Sequence, residues 1–131
     1  MTAAARPPRI KRRPDFLAAA RARRSACPFF ILQARRRTGA GPSGDDAPPA
    51  RVGFTASKKV GGAVARNRAK RRLRAVADLA LPELGRAGWD YVLIARADAT
   101  GAAPFERLLS EFRAAVAAVH APPRNRSGPR P

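Results

Sequence analysis

The chain has 131 residues, with 27 lysines and arginines against 9 aspartates and glutamates, a formal charge of +18 at pH 7. That length and a 45% hydrophobic content allow one domain with a modest core, while self-repulsion on this scale favours a polyanionic partner such as nucleic acid. A single cysteine, Cys27, and a single histidine, His120, exclude a disulfide framework, a cysteine-based zinc site and a histidine pair for acid–base cleavage of RNA.

In chain order, residues 1–8 are small, basic and proline-containing and are expected to be disordered. Asp15 to Ala22 reads as a short helix with an acidic residue in its first turn. A short edge strand is expected near Ser25 to Cys27, and Phe29 to Ala34 reads as a strand. Thr38 to Pro49 is rich in Gly, Pro, Ser and Asp without apolar periodicity, the composition of a long flexible connection. Arg51 to Ser57 alternates, with Val52, Phe54 and Ala56 on one face, which predicts a half-exposed strand.

The stretch Ser57 to Arg74 follows, with eight basic side chains and no acidic one. From about Ala63 onward, Ala65, Ala69, Leu73, Val76 and Ala80 recur at intervals of three and four, which predicts a helix with one apolar stripe. Asn67, Lys70, Arg71 and Arg74 then project from the other side. A disordered basic tail has no reason to keep that order. Such a face suits a phosphate backbone, and arginine suits forked contacts to it. Arg72 falls on the flank of the stripe, placed to snorkel outward.

Gly61 and Gly62 break the chain before this helix, and Pro82 with the Gly85 to Gly88 region is expected to end it. Tyr91 to Ala95 is a continuous apolar run, the pattern of a central strand covered on both faces. Pro104 suits a first helical turn, and Phe105, Leu108, Phe112, Val116 and Val119 give an amphipathic helix. Residues 121–131 are rich in proline and arginine and have no core face. The order predicts a single small α+β sandwich, the domain running over 9–120, with the strands on either side of the basic helix as parallel neighbours joined by a crossover.

No run is long and apolar enough to span a bilayer, and the N-terminus lacks the apolar segment of a secretory signal, so a cytoplasmic protein without a membrane partner is expected. The acidic residues are scattered without a metal-binding pattern, which argues against a nuclease acting by its own side chains. The long apolar strand argues against a helix-turn-helix DNA binder. A small basic ribosomal protein, or another RNA-binding protein without a role in cleavage, shares the size, charge and mixed pattern.

Lys58-Lys59-Val60-Gly61, then Ala63-Val64, Arg66-Asn67-Arg68, Lys70-Arg71 and Arg74, closely resembles the signature of the protein subunit of bacterial ribonuclease P. Asp15-Phe16, Val52-Gly53-Phe54 and Asp90 to Arg96 support the resemblance, which covers roughly Arg9 to Val119. It implies an α/β sandwich of a type also found in a ribosomal protein domain, with a left-handed crossover through the basic helix against the usual preference. It further implies partnership with a catalytic RNA subunit and with precursor tRNA, whose 5′ leader is removed by the RNA. Magnesium is then expected to be held mainly by the RNA, with no metal ligand and no catalytic residue on the protein, and no protein partner is expected.

Under this resemblance Lys58, Lys59, Arg66, Asn67, Arg68, Lys70, Arg71 and Arg74 are the expected RNA-binding residues. Phe16, Phe54, Arg12 and Arg13 are the expected leader-binding cleft, the two rings offering π-faces on which bases of any sequence stack. Gly62 stands where the family commonly has an asparagine cap, and Ala20 where some relatives have a second aromatic. The Asp45-Asp46 pair places the Thr38 to Pro49 connection away from phosphates.

Overall fold

A computed structural model describes residues 7–36, 50–56, 58–96 and 99–121. The expected N-terminal tail up to residue 6, most of the 38–50 connection and the tail beyond Ala121 lie outside the described residues. Seven elements follow in order: α1 Arg13–Ala20, β1 Arg23–Ala26, β2 Phe30–Arg36, β3 Arg51–Thr55, α2 Ala63–Leu84, β4 Trp89–Ala95 and α3 Phe105–His120. A 3-10 turn over Lys58–Val60 leads into α2.

The strands form one sheet in the order β1-β2-β4-β3. β4 pairs antiparallel with β2 (Leu32 opposite Leu93) and parallel with β3 (Phe54 opposite Leu93), so α2 is the crossover between parallel neighbours. Alternation along β4 divides the core. Tyr91, Leu93 and Ala95 point with Phe30, Leu32, Ala34 and Val52 toward α2 and α3, whereas Val92 packs with Ala19 and Ile10 under α1, beside Phe16 and Ile94. The central strand is therefore apolar at both parities because helices cover both faces.

α2 buries Ala69, Leu73, Val76, Ala77, Ala80 and Leu81, the stripe its spacing predicts. Pro82 does not stop the helix. It sits in the last turn, which ends at Leu84 with the Gly85 N–H bonded to the Leu81 carbonyl. α3 buries Leu108, Phe112, Ala115, Val116 and Val119. Phe105, expected on that face, lies at the helix start and is exposed. Phe112 meets Phe30 with ring centroids 6.4 Å apart in a tilted arrangement, a geometry worth about 0.5–1.5 kcal/mol beyond area burial.

α1 starts at Arg13, two residues earlier than its apolar run suggests, because Pro14 suits a first turn. In front of it, residues 8–10 pair alongside β3: the Val52 N–H donates to the Pro8 carbonyl and the Ile10 N–H to the Val52 carbonyl. Pro7 is buried, so the expected boundary between tail and domain falls inside this pairing, which covers the outer edge of β3. No helix among the described residues is long and apolar enough to cross a membrane.

Candidate nucleic-acid interface

The start of α2 is its least buried part: Ala63 to Arg68 are exposed or half-exposed, and burial begins at Ala69. α2 and α3 run side by side in the same direction, since Arg72 donates to the Ala103 carbonyl just before α3 and Arg113 reaches Glu83 near the α2 end. Ala63 to Arg71 therefore extends past the start of α3. Arg72 thus ties the two helices together rather than snorkelling outward. Asn67, Arg68, Arg71 and Lys59 are exposed, Arg66, Lys70 and Arg74 half-exposed, and Val64 is 84% exposed at the helix start. Lys58 lies in the 3-10 turn. No acidic residue occurs between Arg51 and Asp78. Gly62 caps α2 without a side-chain bond, which leaves the first N–H groups of the helix adding to the positive field.

Phe54 sits on this side of the sheet and not on the α1 side. It shares the parity of Val52 and Leu93 and packs against the α2 core. The Arg9 guanidinium lies 5.2 Å and that of Arg74 6.0 Å from its ring centroid, within the range of cation–π attraction. Arg9 is held in turn by Asp78 at 3.2 Å and by the Pro7 carbonyl at 3.0 Å. Phe16 and Phe54, expected to share one cleft, are thus on opposite faces of the sheet. Strand parity sets the side of Phe54, and α1 docks on the other.

On the α1 face, Phe16 is half-buried over Gly53, where a Cβ would lie 2.5 Å from Phe16 Cε1. Arg12 and Arg13, also expected at the cleft, are exposed at the N-terminus of α1. Beside them lies an ion cluster that links α1 to three strands. Asp90 is fully buried and accepts a fork from Arg51, Nε to Oδ1 at 2.8 Å and Nη2 to Oδ2 at 2.7 Å. Arg35 donates to Asp90 at 3.3 Å and to Asp15 at 3.0 Å, and Arg51 also reaches Asp15 at 3.4 Å. Two arginines and two aspartates cancel, so Arg35 is a structural group and not free charge for RNA. The bond to Asp90 raises the Arg51 pKa above its ordinary value.

At the far end of the sheet, the Arg86 N–H donates to the Tyr91 hydroxyl at 2.9 Å, and that hydroxyl stands 2.6 Å from His120 Nε2. The hydroxyl donates to His120 Nε2 when the ring carries its proton on Nδ1, and accepts from it in the other tautomer. Burial, then the charges of Arg86 and Arg23, pull the His120 pKa down to about 4, and burial pushes Tyr91 up to about 12. Burial also raises the Cys27 thiol, which suits an inert core residue. No group of three or more His, Cys, Asp or Glu among the described residues is placed to hold a metal ion. Asp15 and Asp90, which share Arg35 and Arg51, are neutralised by them.

Residues 5–120 match the family model described as Ribonuclease P. The chain belongs to the ribonuclease P protein family. It is 54% identical to the ribonuclease P protein component of Ruegeria pomeroyi over 113 residues, 86% of each chain. It is 49% identical to that of Caulobacter vibrioides over 113 residues, covering 86% of this chain and 71% of the relative. In fold it is similar to the RNase P protein of Staphylococcus aureus, with a TM-score of 0.65 at 23% identity over 86% of this chain and 94% of the other. The RNase P protein of Thermotoga maritima gives 0.62 at 21% identity over 79% and 90%.

As a ribonuclease P protein, the chain is a subunit of a tRNA-processing endoribonuclease whose catalyst is RNA, and its partner is RNA. The residues expected to bind that RNA stand together on the free half of α2 and the turn before it. Sequence reasoning missed the Asp15–Arg35–Arg51–Asp90 cluster, whose one visible sign is an aspartate, Asp90, leading into the most apolar strand. It also missed the Tyr91–His120 pair, because a lone histidine beside a tail carries no pattern.

Proposed function

We propose that the free basic face of α2 binds the catalytic RNA subunit of RNase P, and that the α1 face of the sheet receives the single-stranded 5′ leader of precursor tRNA. The observation that carries this reading is the segregation of charge. Arg66, Arg68, Lys70, Arg71 and Arg74 are all exposed or half-exposed along the N-terminal part of α2, with no carboxylate in the preceding stretch, while Arg35 and Arg51 across the sheet are neutralised. Bringing RNA subunit and precursor together crowds phosphates, and each arginine that displaces counterions offsets that repulsion. Asn67, with a donor and an acceptor, can orient a neighbouring arginine or bond to RNA directly.

Phe16 supplies a half-exposed ring beside the exposed Arg12 and Arg13, a combination that stacks on bases and tracks a backbone without sequence preference. Tolerance of this kind suits leaders that differ between transcripts. Phe54 takes a different part, orienting Arg74 through its ring. Magnesium, in this reading, is held by the RNA and supplies charge stabilisation at the scissile phosphate; Asp15 and Asp90, which lie together among the described residues, are already paired with Arg35 and Arg51. The expected site of action is the cytoplasm.

The test is reconstitution at low magnesium. Protein alone should leave precursor tRNA intact, and protein with the cognate RNA subunit should cleave at the mature 5′ end. Robust cleavage by rigorously RNA-free protein, or no gain on adding protein to the RNA, would overturn the proposal.

A further inference from the structure

The parallel course of α2 and α3 leaves a cavity of about 330 Å³ between their C-terminal ends, lined by Leu84, Arg86, Arg113, Val116, Ala117 and His120. Its lining mixes apolar side chains (Leu84, Val116, Ala117) with the cationic Arg86 and Arg113 and the His120 ring. Arg86 is exposed, and among the described residues no carboxylate pairs with it. The backbone at that position is held by the bond to Tyr91, which keeps Arg86 at the mouth of the cavity. Arg113 reaches Glu83 at 3.5 Å, but both side chains are exposed, and such a pair holds weakly against a polyanion. Arg23 adds a third guanidinium at this end, over Trp89 at 5.3 Å and bonded to the Val119 carbonyl.

The size lies at the low end for ligand sites, which span about 300–1,000 Å³, and suits one nucleotide better than a folded peptide segment. Apolar side chains beside two guanidinium groups suit an unstacked base or ribose with its phosphate; a duplex keeps its bases inside. The site is remote from the other RNA face, since the 22 residues of α2 span about 33 Å. It also opens among α2 and α3, with the sheet between it and the α1 face.

We propose that this cavity is a second RNA site, which takes one nucleotide of a single-stranded segment of the RNA subunit, with Arg86 and Arg113 on its phosphate and Leu84, Val116 and Ala117 against its base or ribose. The proposal rests on the reading of α2 above. A large folded RNA held at one end of α2 meets the other end as an intramolecular event, which raises affinity without a tight second site. A leader on the opposite face of the sheet does not reach it.

Two measurements test the site. The salt dependence of RNA-subunit binding is compared for the full chain, the Arg86→Gln/Arg113→Gln variant and the Arg68→Ala/Lys70→Ala/Arg71→Ala variant, each checked for folding by circular dichroism. The expected result is a salt slope shallower by about 1.5 for the cavity variant. His120 is the chain's only histidine, so its Cε1–H gives one unambiguous NMR signal at the cavity, and a short oligouridylate should shift it in the full chain but not in the cavity variant. An unchanged slope in the cavity variant beside a reduced one in the α2 variant would overturn the second site and leave α2 standing. If the α2 variant is also unchanged, the reading of α2 fails first. A His120 signal unmoved by oligouridylate, or moved only by an acidic peptide, would likewise overturn the proposal.

Discussion

A methyl group at position 53 would sit 2.5 Å from the Phe16 ring, so the place of that aromatic depends on a side chain that is missing. Gly53→Ala should push Phe16 off the sheet, and Phe16→Ala should remove the ring. Both should weaken holoenzyme binding of precursor tRNA, the second by about 1–3 kcal/mol, while mature tRNA, which has no leader to stack, binds as before. Paired affinity measurements check this, and equal weakening toward both forms would assign Phe16 to packing alone. Asp90 is the other residue on which much turns, because it is fully buried between Arg35 and Arg51. Asp90→Asn leaves two guanidinium groups facing a neutral amide and should cost about 3 kcal/mol in denaturant unfolding. A change below about 1 kcal/mol would show that water already shares the cluster.

At the scale of elements, the parts legible in the sequence are those whose signal is local and periodic. α2, α3 and β4 each announce a face or a pair of faces through spacing alone, and the alternation of Val52, Phe54 and Ala56 puts Phe54 on the same strand face as Val52. What the sequence does not contain is the side of the sheet on which α1 docks, and that decides whether Phe16 and Phe54 share a cleft. α1 buries only Ala19 and is held by Asp15 against Arg35 and Arg51, residues 20 and 36 positions away, so no window of neighbouring residues reveals its site. The end of α3 is similar, since His120 finds Tyr91 only after the sheet has formed. There the consequence is a pH dependence. The folded pKa near 4 lies below the unfolded value of about 6.5, so the unfolded chain binds the extra proton and stability is complete above about 6.5. It falls as pH drops through that window and levels off below about 4. His120 is partly exposed, so solvent screening reduces the effect to about 1–2 kcal/mol. Unfolding free energies measured across this window should decline for the natural chain and flatten for His120→Gln; parallel curves would remove the assignment.

For the whole molecule, the charge of +18 sets two opposed responses to salt. Among the described residues the ion pairs that matter for folding are few, and the best of them is buried at Asp90, where mobile ions reach it poorly. The remaining arginines repel one another across a surface with little acid, most strongly along α2. Added salt at concentrations that bring the Debye length to about 8 Å should therefore relieve repulsion and raise the melting temperature of the free protein. The same salt should weaken RNA-subunit binding, because each phosphate contact made by α2 releases counterions and that gain shrinks as the bulk ion concentration rises. Melting curves and RNA affinities measured in one salt series should thus move in opposite directions. Replacing Arg68, Lys70 and Arg71 with alanine should reduce both effects together, lessening the salt response of the melting temperature and making the binding slope shallower by about 2. A free protein whose melting temperature falls with salt would mean that exposed ion pairs, and not repulsion along α2, govern its stability.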